Sequence, residues 1–246
     1  MGELKLDAVG AEVKKLIAPY LEKLLAIHKE NVISINLYGS ATGRDFSLKT
    51  SDINLLVIFK ELTFEDLRKS LNLVSRGIKK KISAPLLLTL EHIKTSQDVF
   101  PIEFLEMKEN YLCLYGEDLL KQMDIKRDYI RLFAEEQIKG KLIRLRQAYL
   151  EIGLRKKGIE ALMKESMYSL IPVFRNLLRL KDIAPPIDKE SILTKVSKEF
   201  DLEEGVLIAI LKDKRDDESI AGCDIEVYFK KYLNQIQRLA VIVDKL

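Results

Sequence analysis

Asp52 and Asn54 stand at the head of the apolar run "DINLLVIF", a short polar loop after the pair Gly39-Ser40. Side chains two apart on a strand point to one face, so a carboxylate and a carboxamide sit side by side above a glycine-serine turn. Such a carboxylate can ligate magnesium, with water and substrate phosphates completing the octahedron. The glycine lets backbone amides approach a phosphate, and the serine hydroxyl adds a donor. The chemistry these residue types suit is metal-dependent phosphoryl transfer, in which divalent ions bridge phosphate oxygens. Asn54 leaves three readings open: a metal site with one ligand altered, a site that has lost its chemistry, or a polar strand edge.

"PIEFLEM" offers two further acids that could join Asp52, Glu103 and Glu106. Read as a strand over Phe100–Met107, this segment points the two glutamates to opposite faces. Glu103 is preferred, because Ile102 and Phe104 on either side of it face away. Arg44 and Lys49, in the loop between Gly39 and Asp52, are placed to neutralise phosphates, although charged loops are commonly just solvated. Lys79, Lys80 and Lys81 suit the negative end of a helix. Arg127, Arg131, Lys141, Arg144 and Lys156, interleaved with Glu135, Glu136 and Glu151, read as a solvated helix face. The only histidines, His28 and His92, lie far apart, which argues against zinc or histidine-based nucleophilic chemistry. Cys113 and Cys223 lack metal or redox spacing and read as reduced, buried thiols.

The elements that must hold these residues follow from periodicity. Val13, Leu16, Ile17, Tyr20, Leu21, Leu24 and Leu25 recur at helical spacing over residues 9–29, with Pro19 inside the pattern. "VISINLY" and "DINLLVIF" read as strands, the second covered on both faces. Thr63 is a helix N-cap, and the helix it opens runs to about Ile82 with Leu67, Leu71, Val74 and Ile78 on one face. "LLLTL" at Leu86–Leu90 is a third strand and Leu90–Asp98 a brief helix. Beyond Gly116 strand-like runs cease. Amphipathic helices are expected over 125–152, 158–180 with Pro172 inside, 188–200, 202–212 and 224–246, joined by "APP" at 184–186 and the polar loop "DKRDDES".

"GSATG" followed by "SDINLLVIF" resembles the nucleotidyltransferase superfamily, the group that includes DNA polymerase β and the kanamycin nucleotidyltransferase. Gly39, Ser40 and Asp52 match its pattern, and Asn54 stands where its second acid belongs. The resemblance covers residues 35–107, with only a general likeness beyond. It implies an α+β fold: a small mixed β-sheet domain over residues 1–117, then an all-α helical bundle over 118–246. It implies Asp52 and Glu103 as catalytic residues, a pair of Mg2+ ions held by Asp52, Asn54 and Glu103, and Gly39, Ser40 and Ser51 on the nucleotide. The implied reaction moves NMP from an NTP to a hydroxyl of an unidentified acceptor. The alternative is an impaired member that binds a nucleotide or docks a partner.

Composition narrows the class. Hydrophobic residues make up 47% and charged residues 32%, and 41 basic against 38 acidic side chains leave a net charge of +3. That balance gives no indication of nucleic acid. No run suits a membrane span, the N-terminus lacks an apolar signal region, and Leu6 breaks a myristoylation motif. A cytoplasmic protein is expected. The family resemblance and the apolar tail at Val241, Ile242 and Val243 suggest a homodimer.

Overall fold

The computed structural model describes residues 3–43, 46, 51–152, 155–214 and 224–246. Arg44, Lys49, Cys223 and most of the loop "DKRDDES" lie outside them. Two compact units are present, Met1–Ile125 and Lys126–Leu246.

The first unit runs α1 (Ala11–His28), β1 (Val32–Tyr38), a 3-10 turn (Gly39–Thr42), β2 (Asn54–Phe59), α2 (Phe64–Ile78), β3 (Leu86–Thr89), α3 (Leu90–Thr95), α4 (Pro101–Glu109), β4 (Tyr111–Gly116) and α5 (Leu119–Gln122). The sheet order is β3-β2-β1-β4. β1 pairs antiparallel with both β2 and β4, while β3 runs parallel to β2. A β-branched, apolar β2 suits this central place, since Leu55 to Phe59 are buried on both faces. One face packs Ile35, Leu37, Leu55 and Val57 on Ile17, Leu21 and Leu24 of α1. The other packs Leu56 and Ile58 with Ile93, Phe104, Leu119 and Leu120.

Two expectations are corrected here. Phe100–Met107 is not a strand: Pro101 opens α4 at its first turn, where its fixed φ and missing N–H cost nothing. Burial of Ile102 and Phe104 then seats α4 under the sheet and leaves Glu103 exposed. Glu103 and Glu106 are therefore neighbours along one helix rather than opposite faces of a strand. The fourth strand is Tyr111–Gly116, beside β1 and remote from β2. α2 also ends earlier than expected, at Ile78, where Lys81 turns left-handed at φ 64°.

Thr63 caps α2 in a reciprocal box: Asp66 N–H reaches the Thr63 hydroxyl at 3.3 Å, and Thr63 N–H reaches the Asp66 carboxylate at 3.0 Å. Asp66 also faces His28 of α1, its Oδ1 3.7 Å from Nδ1. The buried ring of His28 stands edge-on to Phe59 and its Nε2 lies 2.8 Å from Ser70 Oγ. Since the Ser70 hydroxyl donates to the Asp66 carbonyl at 2.9 Å, it is the His28 Nε2–H that donates to Ser70.

Burial lowers the His28 pKa below its ordinary value, against the opposing pull of Asp66. The Thr63 hydrogen bonds hold the Asp66 carboxyl low in the same direction. Both groups are depressed in the fold, so each contributes stability above its unfolded pKa that is lost as pH falls towards its folded one. Urea midpoints should therefore be flat above about pH 6.5 and decline on acidification. His28→Gln should flatten the first part of that decline. An unchanged slope in the variant would show that His28 titrates alike in both states.

The second unit is all helical in its described residues: α6 (Arg127–Ile152), α7 (Lys156–Leu180), α8 (Lys189–Glu199), α9 (Glu204–Lys214) and α10 (Ile225–Val243). Asp188 and Asp224 cap α8 and α10 through their carboxylates, as their types suggest. Leu142, Met163, Phe174, Leu193, Leu207 and Tyr232 meet in its core. Of the apolar tail, Val243 is buried in that core whereas Val241 is 54% exposed.

Candidate functional site

The site is built where β1 ends and β2 begins. Tyr38, the last residue of β1, pairs with Asn54, the first of β2. The chain then turns through Gly39 at φ 76°, a conformation that favours glycine, into the 3-10 turn Gly39–Thr42. A Cβ on Gly39 would lie 3.6 Å from the Asn54 side-chain nitrogen, so the carboxamide stands directly beside the glycine. Gly39 N–H donates to the Asn110 carbonyl at 2.9 Å, fixing the turn to the chain just ahead of β4. The Thr42 hydroxyl closes the turn on the Gly39 carbonyl at 2.8 Å, and Ser40 is exposed.

Asp52 lies just before β2. Ile53 is fully buried in the α1 side of the sheet, so Asp52 and Asn54 flank it on the opposite side. Ile53 bridges to the chain leading into β3: its N–H donates to Lys81 O at 2.7 Å, and Ser83 N–H donates to Ile53 O at 3.0 Å. That bridge sets Lys81 beside Asp52, with Nζ 3.6 Å from Oδ1, both side chains about half exposed. The lysine occupies the left-handed position after α2, where glycine is usual. A non-glycine residue there carries local strain of about 1 kcal/mol or more, of the kind that gathers at functional positions.

The strands flanking β2 settle which acids can join Asp52 from within the sheet. β1, "VISINLY", carries none, and neither does the stretch Lys81–Leu90, "KISAPLLLTL". On the Asn54 face β3 presents Leu86 and Leu88 instead. Among the described residues no three of His, Cys, Asp and Glu gather where an ion could sit. A site for a pair of Mg2+ ions built on three strand-borne acids does not fit these residues. Asp52 is the one carboxylate at the head of β2, Asn54 is neutral, and the charge beside Asp52 is a lysine.

Sequence reasoning missed Lys81 in this role. The signal was its position: a basic residue directly preceding the strand that runs parallel to the one Asp52 opens. Lys79 and Lys80 are exposed at the same helix end. Glu106, on α4, is not without a partner of its own. His28, Ser70 and Asp66 have the composition of a hydrolytic triad, but they serve packing. Ser70 and His28 are buried, and the serine hydroxyl already donates to its own helix. Cys113 is half-buried rather than buried, and burial, with the Asp118 charge, pushes its thiol up.

No family model matches the chain, and no curated protein matches it. Among solved structures it is similar to the spectinomycin adenyltransferase AAD(9) from Enterococcus faecialis, crystallised with ATP and spectinomycin. The TM-score is 0.53 at 14% identity, covering 91% of this chain and 99% of that one. A tri-AMPylated Shewanella oneidensis HEPN toxin in complex with MNT antitoxin also matches, at TM-score 0.30 and 18% identity, covering 57% of this chain and 98% of that one. The first likeness establishes the α+β nucleotidyltransferase fold. No helix among the described residues is long and apolar enough to cross a membrane.

Proposed function

We propose that this chain is a nucleotidyltransferase-fold module that binds the phosphates of a nucleoside triphosphate at the Gly39-Ser40 turn, with Lys81 supplying the positive charge that a metal pair would otherwise bring. The observation that carries this reading is Lys81 Nζ at 3.6 Å from Asp52 on a β2 flanked by strands with no acid. Ser40 and Ser51 add hydroxyl donors for a phosphate oxygen. Asp52 orients Lys81 in the free protein rather than gathering ions.

Nucleotidyl transfer to a hydroxyl acceptor is the second reading, favoured by the full-length likeness to an adenyltransferase. In it Asp52 would be indispensable, and Glu103 or Glu106 would have to reach the substrate from α4.

The two readings differ in the sign of one substitution. Titration calorimetry with ATP should find binding without magnesium that Asp52→Asn leaves unchanged or tightens, since a repelling carboxylate is gone. Lys81→Gly should weaken binding about tenfold, or 1.4 kcal/mol, while holding or raising thermal stability because the left-handed residue is relieved. Binding that needs magnesium and vanishes in Asp52→Asn, with pyrophosphate released, would establish the transfer reading instead.

A further inference from the structure

We infer that the groove between α1 and α2 binds a small amphipathic anion, an acidic head group on a short apolar chain. Gly77 of α2 sits against the Tyr20 ring of α1, where an added Cβ would come within 2.7 Å. Beside this contact lies a pocket of about 250 Å³, walled by Leu16 and Pro19 of α1, Leu73 of α2 and Ile82. Around these apolar walls stand Lys23, Arg76, Lys79 and Lys80, all exposed. None of the four is ion-paired with a described residue.

No acid lines the pocket, although the whole chain carries 38 acidic against 41 basic residues. The dipole of α2 accounts for Lys79 and Lys80 at its C-terminal end, but not for Lys23, which comes from the interior of α1. A second hollow of about 330 Å³ continues the groove past the shared Lys23, Leu73 and Arg76. It adds Lys69 and again no acid. The groove is therefore a place where positive charge gathers around apolar surface without its usual counter-charge.

Tyr20 supplies a second, independent observation. It is 5% exposed and forms part of the pocket wall, yet its buried hydroxyl has no hydrogen-bond partner among the described residues. Buried hydroxyls are rarely left so, because an unmade hydrogen bond keeps the full cost of desolvation. An acidic head group can accept from this phenol while the lysines and Arg76 neutralise its charge.

Size and charge together select the occupant. A bare anion gains nothing from the apolar walls, and a neutral hydrocarbon leaves the cations unused. At the ~30 Å³ that one water molecule takes in the liquid, the pocket holds about eight groups of that size. A chain of about eight carbons under one carboxylate or phosphate matches it, whereas a nucleoside triphosphate is several times too large. Tyr20, Leu73 and Ile82 share a core cluster with Ile53, on the α1 side of the sheet. Asp52 and Asn54 flank Ile53 on the opposite side, so the two sites are separate and this one stands whether or not the other binds a nucleotide.

Titration calorimetry of the full chain with octyl phosphate and octanoate tests it, with octanol and inorganic phosphate as the separate halves of the ligand. One or both amphiphiles should bind about tenfold or more tighter than either half, and the tighter of the two names the head group. From butyl to octyl phosphate, affinity should rise about fourfold per added methylene. Lys23→Glu with Arg76→Glu should weaken binding about tenfold or more at an unchanged melting temperature, since both side chains are exposed. Tyr20→Phe should weaken it about threefold or more without loss of stability, because the hydroxyl it removes is unsatisfied. Lys81→Gly should leave octyl phosphate binding as it was. Equal affinity for octyl phosphate and inorganic phosphate, or a charge reversal without effect, overturns the proposal. So does displacement of octyl phosphate by ATP, which would make the two sites one. An unchanged affinity in Tyr20→Phe overturns the part given to the phenol.

Discussion

Truncating Tyr232 to alanine is expected to lower the stability of the helical unit by about 3–5 kcal/mol, the range for removing a fully buried aromatic side chain. Tyr232 is completely inaccessible, and its hydroxyl lies 3.0 Å from Ser166 Oγ across α7 and α10. Burial pushes the phenol far up, so it stays protonated and hydrogen bonding at any working pH. The loss has two parts that simpler variants separate. Tyr232→Phe keeps the ring and removes one partner of a buried hydrogen bond, which should cost about 1–2 kcal/mol because Ser166 is left unsatisfied. Tyr232→Phe with Ser166→Ala removes both partners and should recover most of that cost. Urea denaturation followed by circular dichroism reads all three. If the double variant were as unstable as Tyr232→Ala, the hydroxyl pair rather than the ring packing would carry the contribution.

The bundle was legible because its signals are local. Asp188 and Asp224 sit at helix starts, and apolar positions recur at the helical period, so element type and approximate bounds follow from residues that are close in sequence. The same local reasoning identified β1, β2 and the Gly39-Ser40 turn. It failed at α4, where "FPIEFLEM" has the apolar alternation of a strand, but Pro101 at the first turn and the buried Phe104 select a helix. The true fourth strand, "YLCLYG", announces itself by its aromatic residues and closing glycine, yet that signal was passed over in favour of the longer run before it.

At α2 the periodicity gave the helix and its apolar stripe but not which face is buried. Close approach to Tyr20 demands small side chains, so Ser70 and Gly77 take the interior and the stripe is left outside. No pattern of hydrophobicity contains that information, because it is a property of the packing distance. The Asp52–Lys81 pair is hidden for a related reason: it depends on the parallel bridge between Ile53 and Ile82, residues brought together by the crossover through α2. Glu103 was placed on a strand beside Asp52, but its segment is α4, and which strands neighbour β2 is not written in the spacing of the residues.

Replacing Gly116 with alanine is expected to be the most damaging small change in the first unit. Gly116 closes β4 at φ 72°, and a Cβ there would stand 1.9 Å from the Ile33 carbonyl oxygen, a backbone atom that cannot swing aside. The left-handed conformation alone costs an alanine about 1–2 kcal/mol. Forcing β4 away from β1 adds about 1–3 kcal/mol of overpacking. Chemical denaturation should therefore show a loss of about 2–5 kcal/mol by the sum of these terms. The other end of the same strand follows Asn110, whose carbonyl anchors the N–H of Gly39, so a displaced β4 also loosens the turn beside Asn54. ATP affinity should fall in Gly116→Ala although the residue lies at the far end of β4 from the turn. Gly205 supplies the opposite sign: it lies in α9 with nothing within 4 Å of an added Cβ. There alanine should stabilise by up to about 1 kcal/mol through helix propensity. Equal and small effects at both glycines would show that β4 shifts freely, and would remove the link drawn from β4 to the site.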